Sequence, residues 1–233
     1  MLRRYFAPLL GMALLALPQW ASAQEESYAE EPTGGLHLPS TGLAGEQNAT
    51  TVTVNPAGIG FLQGPNMVLA LVLARDAGAV RSGPGGGFYY GSSIGGRLMP
   101  KLGWGLAVEW LRPPRAELVP DQGTPTRLTQ SISLPMGSSS NIGLSWHHFF
   151  DDIGTLDGLD SFDLGWGARF GNHWAAGFVI RDLSSPKVDG ENVQRRYELE
   201  LVSRPTGTDR FELGLGARVG EDKVDFKTGD DLD

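Results

Sequence analysis

The stretch Phe162-Asp163-Leu164-Gly165-Trp166-Gly167-Ala168-Arg169-Phe170 decides the fold. Along an extended chain, successive side chains point to opposite faces. Phe162, Leu164, Trp166, Ala168 and Phe170 therefore share one face, and Asp163, Gly165, Gly167 and Arg169 share the other. A helix would mix the two sets around its circumference, so the period predicts a β-strand. The same period runs outward in both directions. Trp104, Leu106, Val108 and Trp110 oppose Gly103, Gly105, Ala107 and Glu109, and Ile142, Leu144, Trp146 and His148 oppose Gly143, Ser145 and His147. Trp174, Ala176, Phe178 and Ile180 oppose Ala175, Gly177, Val179 and Arg181. Tyr197, Leu199 and Leu201 oppose Glu198 and Glu200; Phe211, Leu213, Leu215, Ala217 and Val219 oppose Glu212, Gly214, Gly216 and Arg218. With segments at 67–74, 88–98 and 127–135, nine strands are predicted over residues 67–219. The opening motif recurs as Glu212-Leu-Gly-Leu-Gly-Ala-Arg-Val-Gly, and partly as Lys101-Leu-Gly-Trp-Gly-Leu-Ala, which suggests repeated hairpins.

Short connections around Pro100, at 136–140, at 171–173 and around Pro205 alternate with long ones at 75–87, 112–126, 151–160 and 184–194. A transmembrane barrel alternates short periplasmic turns with long outer loops in this way. The apolar face also carries aromatic residues at both margins. Trp104, Phe170 and Trp174 lie toward the short turns, and Trp110, Phe150, Phe162 and Tyr197 toward the long loops, which suits two interfacial belts. The expected class is an all-β, antiparallel up-and-down transmembrane β-barrel. A soluble β-sandwich that buries the apolar face gives the same alternation and remains an alternative.

Met1-Leu2-Arg3-Arg4, the apolar run from Tyr5 to Leu17, and Ala21-Ser22-Ala23 read as a cleaved signal peptide over residues 1–23, favouring general secretion. Residues 24–45 are acidic and then rich in Gly, Pro and Ser, and read as a flexible lead-in. The chain holds 27 acidic against 19 basic residues, a net charge of −8. Without a basic block it is a poor partner for nucleic acid. The absence of Cys excludes disulfides, thiolate catalysis and a lipidated N-terminal Cys. Nine strands are an odd number for a barrel, and residues 220–233 read as an acidic outer loop. The expectation is therefore a fragment of a longer protein, or a sheet that further strands close.

Thr41-Gly-Leu-Ala-Gly-Glu-Gln-Asn-Ala, followed by Asn55-Pro56-Ala57-Gly58-Ile59-Gly60-Phe61-Leu62, resembles the N-terminal element of FadL-type and PorV-like outer-membrane proteins, the long-chain fatty-acid and hydrocarbon transporters. The resemblance implies a fourteen-stranded barrel with a lumenal plug, here residues 46–66 carrying Asn55, Pro56, Ala57 and Gly58. It also implies outer-membrane lipid as partner and passive binding or transport of a small hydrophobic compound. Some relatives are similar barrels attached to other domains, including signal peptide peptidase-like Ser–Lys proteases, so an anchoring role for a domain beyond residue 233 is the alternative function.

No enzyme activity or cofactor is expected within residues 1–233. Gly91-Ser92-Ser93-Ile94-Gly95 fits a nucleophile-elbow pattern, but Pro100 follows too soon for the required helix. His147 and His148, next to Asp151 and Asp152, look metal-like, yet neighbouring strand residues face opposite ways. The inner Glu109, Arg169, Arg181, Glu198, Glu200, Glu212 and Arg218 carry both signs. They either pair and fill the interior or line a polar ligand passage, since burying them unpaired is costly.

Overall fold

The computed structural model describes residues 32–36, 38, 42–73, 85–96, 99–111, 124–151, 156–188, 190–208 and 211–221. The signal segment, most of the acidic lead-in and residues 222–233 lie outside them.

Nine strands form one antiparallel sheet in simple meander order. They are β1 (Asn66–Val72), β2 (Gly85–Gly96), β3 (Met99–Leu111), β4 (Thr126–Pro135), β5 (Ser140–Phe150), β6 (Asp160–Phe170), β7 (Trp174–Arg181), β10 (Arg196–Ser203) and β11 (Leu213–Gly220). Between β7 and β10, where a plain long loop was expected, β8 (Lys187–Val188) and β9 (Glu191–Asn192) make a small separate hairpin. Phe211 and Glu212 precede β11 rather than belonging to it.

The sheet is open. β1 and β11 are its edges, and β11 is exposed on both faces along its whole length. All eight pairings are antiparallel, so β1 and β11 run in the same direction. An antiparallel ladder that joined these two edges would need an odd number of additional strands between them.

Burial alternates with period 2, but against the usual polarity. Gly103, Gly105, Ala107 and Glu109 of β3 are buried, while Trp104 and Trp110 are 40 % and 50 % exposed. On β4, Arg127, Thr129, Ser131 and Ser133 are buried, while Ile132 and Leu134 are exposed. The face rich in Gly, Ser and charge therefore points inward and the apolar face points outward. Inside lies the N-terminal segment, comprising residues 32–36, 38 and 42–62, with one helical turn α1 (Thr51–Val54) and a 3-10 helix (Pro56–Phe61). Side chains or glycines of β2, β3, β4, β5, β6, β7 and β10 all reach this segment, so the sheet curves around it.

Candidate functional site: the inner face and its occupant

The occupant is placed first by its own backbone. Proline at 56 biases Asn55 to extended geometry, and Asn55 sits at φ −151°, ψ 102°. That break ends α1 and starts the 3-10 helix. Asn55 Oδ1 accepts from Ala57 N at 3.1 Å, capping the 3-10 helix. Asn55 Nδ2 donates to Leu43 O at 2.8 Å and to Trp166 O of β6 at 3.2 Å. One side chain thus ties two stretches of the segment to the wall. Asn55, Pro56, Ala57 and Gly58 are all buried. Asn55→Ala leaves several buried partners unsatisfied and should cost about 1–3 kcal/mol; urea unfolding followed by tryptophan emission measures it.

The inward-facing glycines of the strands have a steric purpose. A Cβ on Gly143 would fall well inside contact distance of Ala57 N and Pro56 C, and one on Gly165 would meet Asn55 and Pro56. On β3, Gly103 and Gly105 lie against Ile59 and Val52; on β7, a Cβ on Gly177 would sit 2.6 Å from Leu43 O. The segment's main chain lies directly on these strands, so larger residues would push it away. The echo on β11 differs. Among the described residues, nothing of the segment comes within 4 Å of a Cβ on Gly214 or Gly216.

Between the glycines, inner polar groups address the segment. Glu200 accepts from Ala44 N at 2.8 Å and Glu212 from Glu46 N at 3.3 Å. Ser131 and Ser145 both donate to Val52 O, at 2.8 and 3.1 Å, and Ser133 donates to Ala57 O at 3.2 Å. Arg181 donates to Thr53 O at 2.8 Å and to Val54 O at 2.6 Å. Its other partners are Asp163 at 2.8 Å and Glu198 at 3.2 Å. Arg218 reaches Glu198 at 3.0 Å, and Arg204 holds Glu212 at 2.5 Å. Near the long-loop end, Glu109 pairs with Arg127, takes Tyr89 Oη–H at 2.7 Å and accepts from Leu36 N at 3.1 Å. Arg127 donates to Thr33 O at 3.1 Å, so the interior segment reaches back to Thr33. Arg169 lies 4.6 Å over the Phe61 ring.

The seven inner charges predicted from sequence all face inward; six contact the segment or a charge that does, and Arg218 joins them through Glu198 and Arg181. Sequence reading did not single out Tyr89, Arg127, Asp163, Asp182, Arg196 and Arg204, and weighed His147 only as a metal ligand. Inward parity on β4, β5 and β6 was the available signal for Arg127, His147 and Asp163. Thr129 Oγ1 lies 2.8 Å from His147 Nδ1, and His147 Nε2 lies 3.0 Å from Asp163. This hydroxyl–imidazole–carboxylate row is only 0, 2 and 4 % exposed, and Arg181 shares its carboxylate. His147 and His148 point to opposite faces, and among the described residues no group of three His, Asp or Glu is placed to hold a metal ion. The Ser92–Ser93 pair lies within β2, where Ser93 donates to Leu62 O.

Asp182, just past β7, is buried at φ 54°. It accepts from Ser161 and lies 3.5 Å from Arg196. Burial, then the Asp163 charge, hold its carboxyl above the ordinary aspartate value. The folded state therefore binds this proton more tightly than the unfolded chain. The resulting stabilisation is present below the ordinary value and is lost as pH rises through the folded one. Asp182→Asn tolerates the positive φ and should flatten this decline, measured as a thermal midpoint less dependent on pH from acid toward neutrality.

The outer face carries the aromatics. Trp104, Trp110, Phe150, Phe170 and Trp174 are exposed, and Phe162 and Tyr197 are half-buried. Trp146 and Trp166 also face outward, so all five tryptophans beyond residue 23 share that face. Comparison with protein-family models, with curated proteins and with solved structures finds no match for this chain.

Proposed function

We propose that these strands are the lipid-facing wall of an outer-membrane β-barrel, exported by the signal at residues 1–23. The inner segment is its plug, and the barrel binds or passes a small hydrophobic compound. One observation carries the membrane part: the polarity of the sheet is inverted. Twenty-two large apolar side chains among the described residues are exposed, while Glu109, Arg127, His147, Asp163 and Glu198 are buried. In water, each large apolar side chain left exposed forgoes ~1.5–3 kcal/mol of burial. Acyl chains remove that penalty. They also demand that every backbone group be paired, which favours strands closed into a ring. The ligand class rests on the resemblance of Asn55-Pro56-Ala57-Gly58 to FadL-type plugs.

A second reading, a barrel that anchors a further domain, is favoured by the occupant itself, which fixed hydrogen bonds from β3, β4, β5, β7 and β10 hold across the inner face.

Fractionation of cells making the full chain tests the membrane part. The protein should remain in the outer-membrane fraction after salt and urea washes; release with the soluble periplasm would contradict it. Uptake of a labelled long-chain fatty acid by proteoliposomes tests the ligand part. Asn55→Ala, which loosens the plug, should change the uptake rate, whereas identical rates with and without the substitution would favour the anchor.

A further inference from the structure

We infer that the inner face of the sheet is a binding site for polypeptide main chain, and that the segment ending at Leu62 is a ligand held in cis. The contacts divide unevenly. Glu200 and Glu212 take backbone N–H groups of Ala44 and Glu46. Ser131 and Ser145 converge on the carbonyl of Val52, Arg181 spans those of Thr53 and Val54, and Ser133 takes that of Ala57. These six wall side chains read atoms that every residue except proline possesses in full. The segment's own turns take several of its N–H groups between Thr51 and Leu62, but the carbonyls of Val52, Thr53, Val54 and Ala57 are taken by the wall. Buried backbone groups must be satisfied somewhere, and here the wall supplies the partners. The glycines at 143 and 177 let that main chain approach as a ligand would.

The segment's own side chains contribute size more than chemistry. Val52 and Ile59 fill the space over Gly105 and Gly103, and Asn55 is the main polar exception. The ligand class is therefore a polypeptide with small residues against the strands, a hydrophobic anchor at each end of its helical part and an Asn-Pro break between them. A peptide meeting those terms can replace residues 32–62. The inference does not depend on which solvent bathes the outer face, so its failure and that of the membrane reading are separate.

The test uses the full chain with a protease site inserted between Gln63 and Gly64, where a Cβ meets open space. After cleavage of the folded protein, fluorescent peptides of residues 32–62 are titrated in, and displacement of the nicked segment is read. The parent peptide should displace it. A peptide carrying Leu43→Met and Glu46→Gln should bind within about threefold of the parent, because its main chain is unaltered. A peptide N-methylated at Ala44 loses the donor to Glu200 and should bind ~tenfold more weakly or worse. On a Glu200→Ala wall, the methyl group should make almost no further difference, which separates the lost hydrogen bond from added bulk. Failure of the parent peptide to displace the segment would overturn the inference. So would an equal loss for the side-chain variant, or a methyl penalty that persists on the Glu200→Ala wall.

Discussion

Arg181→Met should cost the protein about 3–5 kcal/mol, the largest loss expected from any single side chain of the wall. The guanidinium lies among Asp163, Glu198 and the carbonyls of Thr53 and Val54, and both carboxylates are buried. Removing it leaves two negative groups close together in a space with little water. Glu198 keeps Arg218 and Asp163 keeps His147, so the site does not lose every counter-charge. Arg181→Lys preserves the charge but not the planar fork that serves four acceptors, and should recover only part of the loss. The double change Arg181→Met with Asp163→Asn should cost less than the sum of the singles, because the stranded charge is gone. Equilibrium urea unfolding of the parent, Arg181→Met, Arg181→Lys, Asp163→Asn and the double variant, followed by tryptophan emission, measures this. A loss under about 1 kcal/mol for Arg181→Met would show that the network does not hold the segment.

The second large effect separates a glycine that lies under the segment from one in the β11 echo of the motif. Gly143→Ala places a methyl against the main chain at Pro56 and Ala57, which cannot move without lifting the segment. Overpacking of this kind typically costs ~1–3 kcal/mol, and the segment should yield before the hydrogen-bonded strands do. Gly216→Ala, in the echo on β11, brings a Cβ no closer than 3.6 Å to any described residue beyond its chain neighbours, Leu199 O being nearest. It should be close to neutral. Limited proteolysis between residues 42 and 62 reads the difference: rapid cleavage in the Gly143→Ala protein, and parental resistance in the Gly216→Ala protein. Similar resistance in both would mean that the glycines do not serve as the resting surface.

The strands were legible because period-2 alternation survives whichever face is buried. The apolar set Leu106, Val108 and Trp110 against Ala107 and Glu109 fixes a strand, and the structure follows it register by register. Period alone could not say which face points inward. The aromatic margins and the inner charges carried that expectation, while glycine at 103, 105, 143, 165 and 177 marks where the interior occupant rests on the strands. A glycine in a strand reads equally as a bulge or a weak point. Arg127 and Asp163 went unnoticed as site residues because their importance comes from partners far away in sequence, Glu109 for one and Arg181 for the other. The β8–β9 hairpin was illegible for another reason. Two-residue strands carry too few alternations to register as a period.

The account turns on what surrounds the outer face, and the five tryptophans there serve as reporters. The full chain, isolated from outer membranes, is reconstituted into phosphatidylcholine with brominated acyl chains and into the same lipid without bromine. Bromine quenches indoles only at close range. With Trp104, Trp110, Trp146, Trp166 and Trp174 all on the outward face, most of the emission should vanish in the brominated bilayer. Equal emission in the two lipids, or a protein that stays in the aqueous phase, would contradict the account.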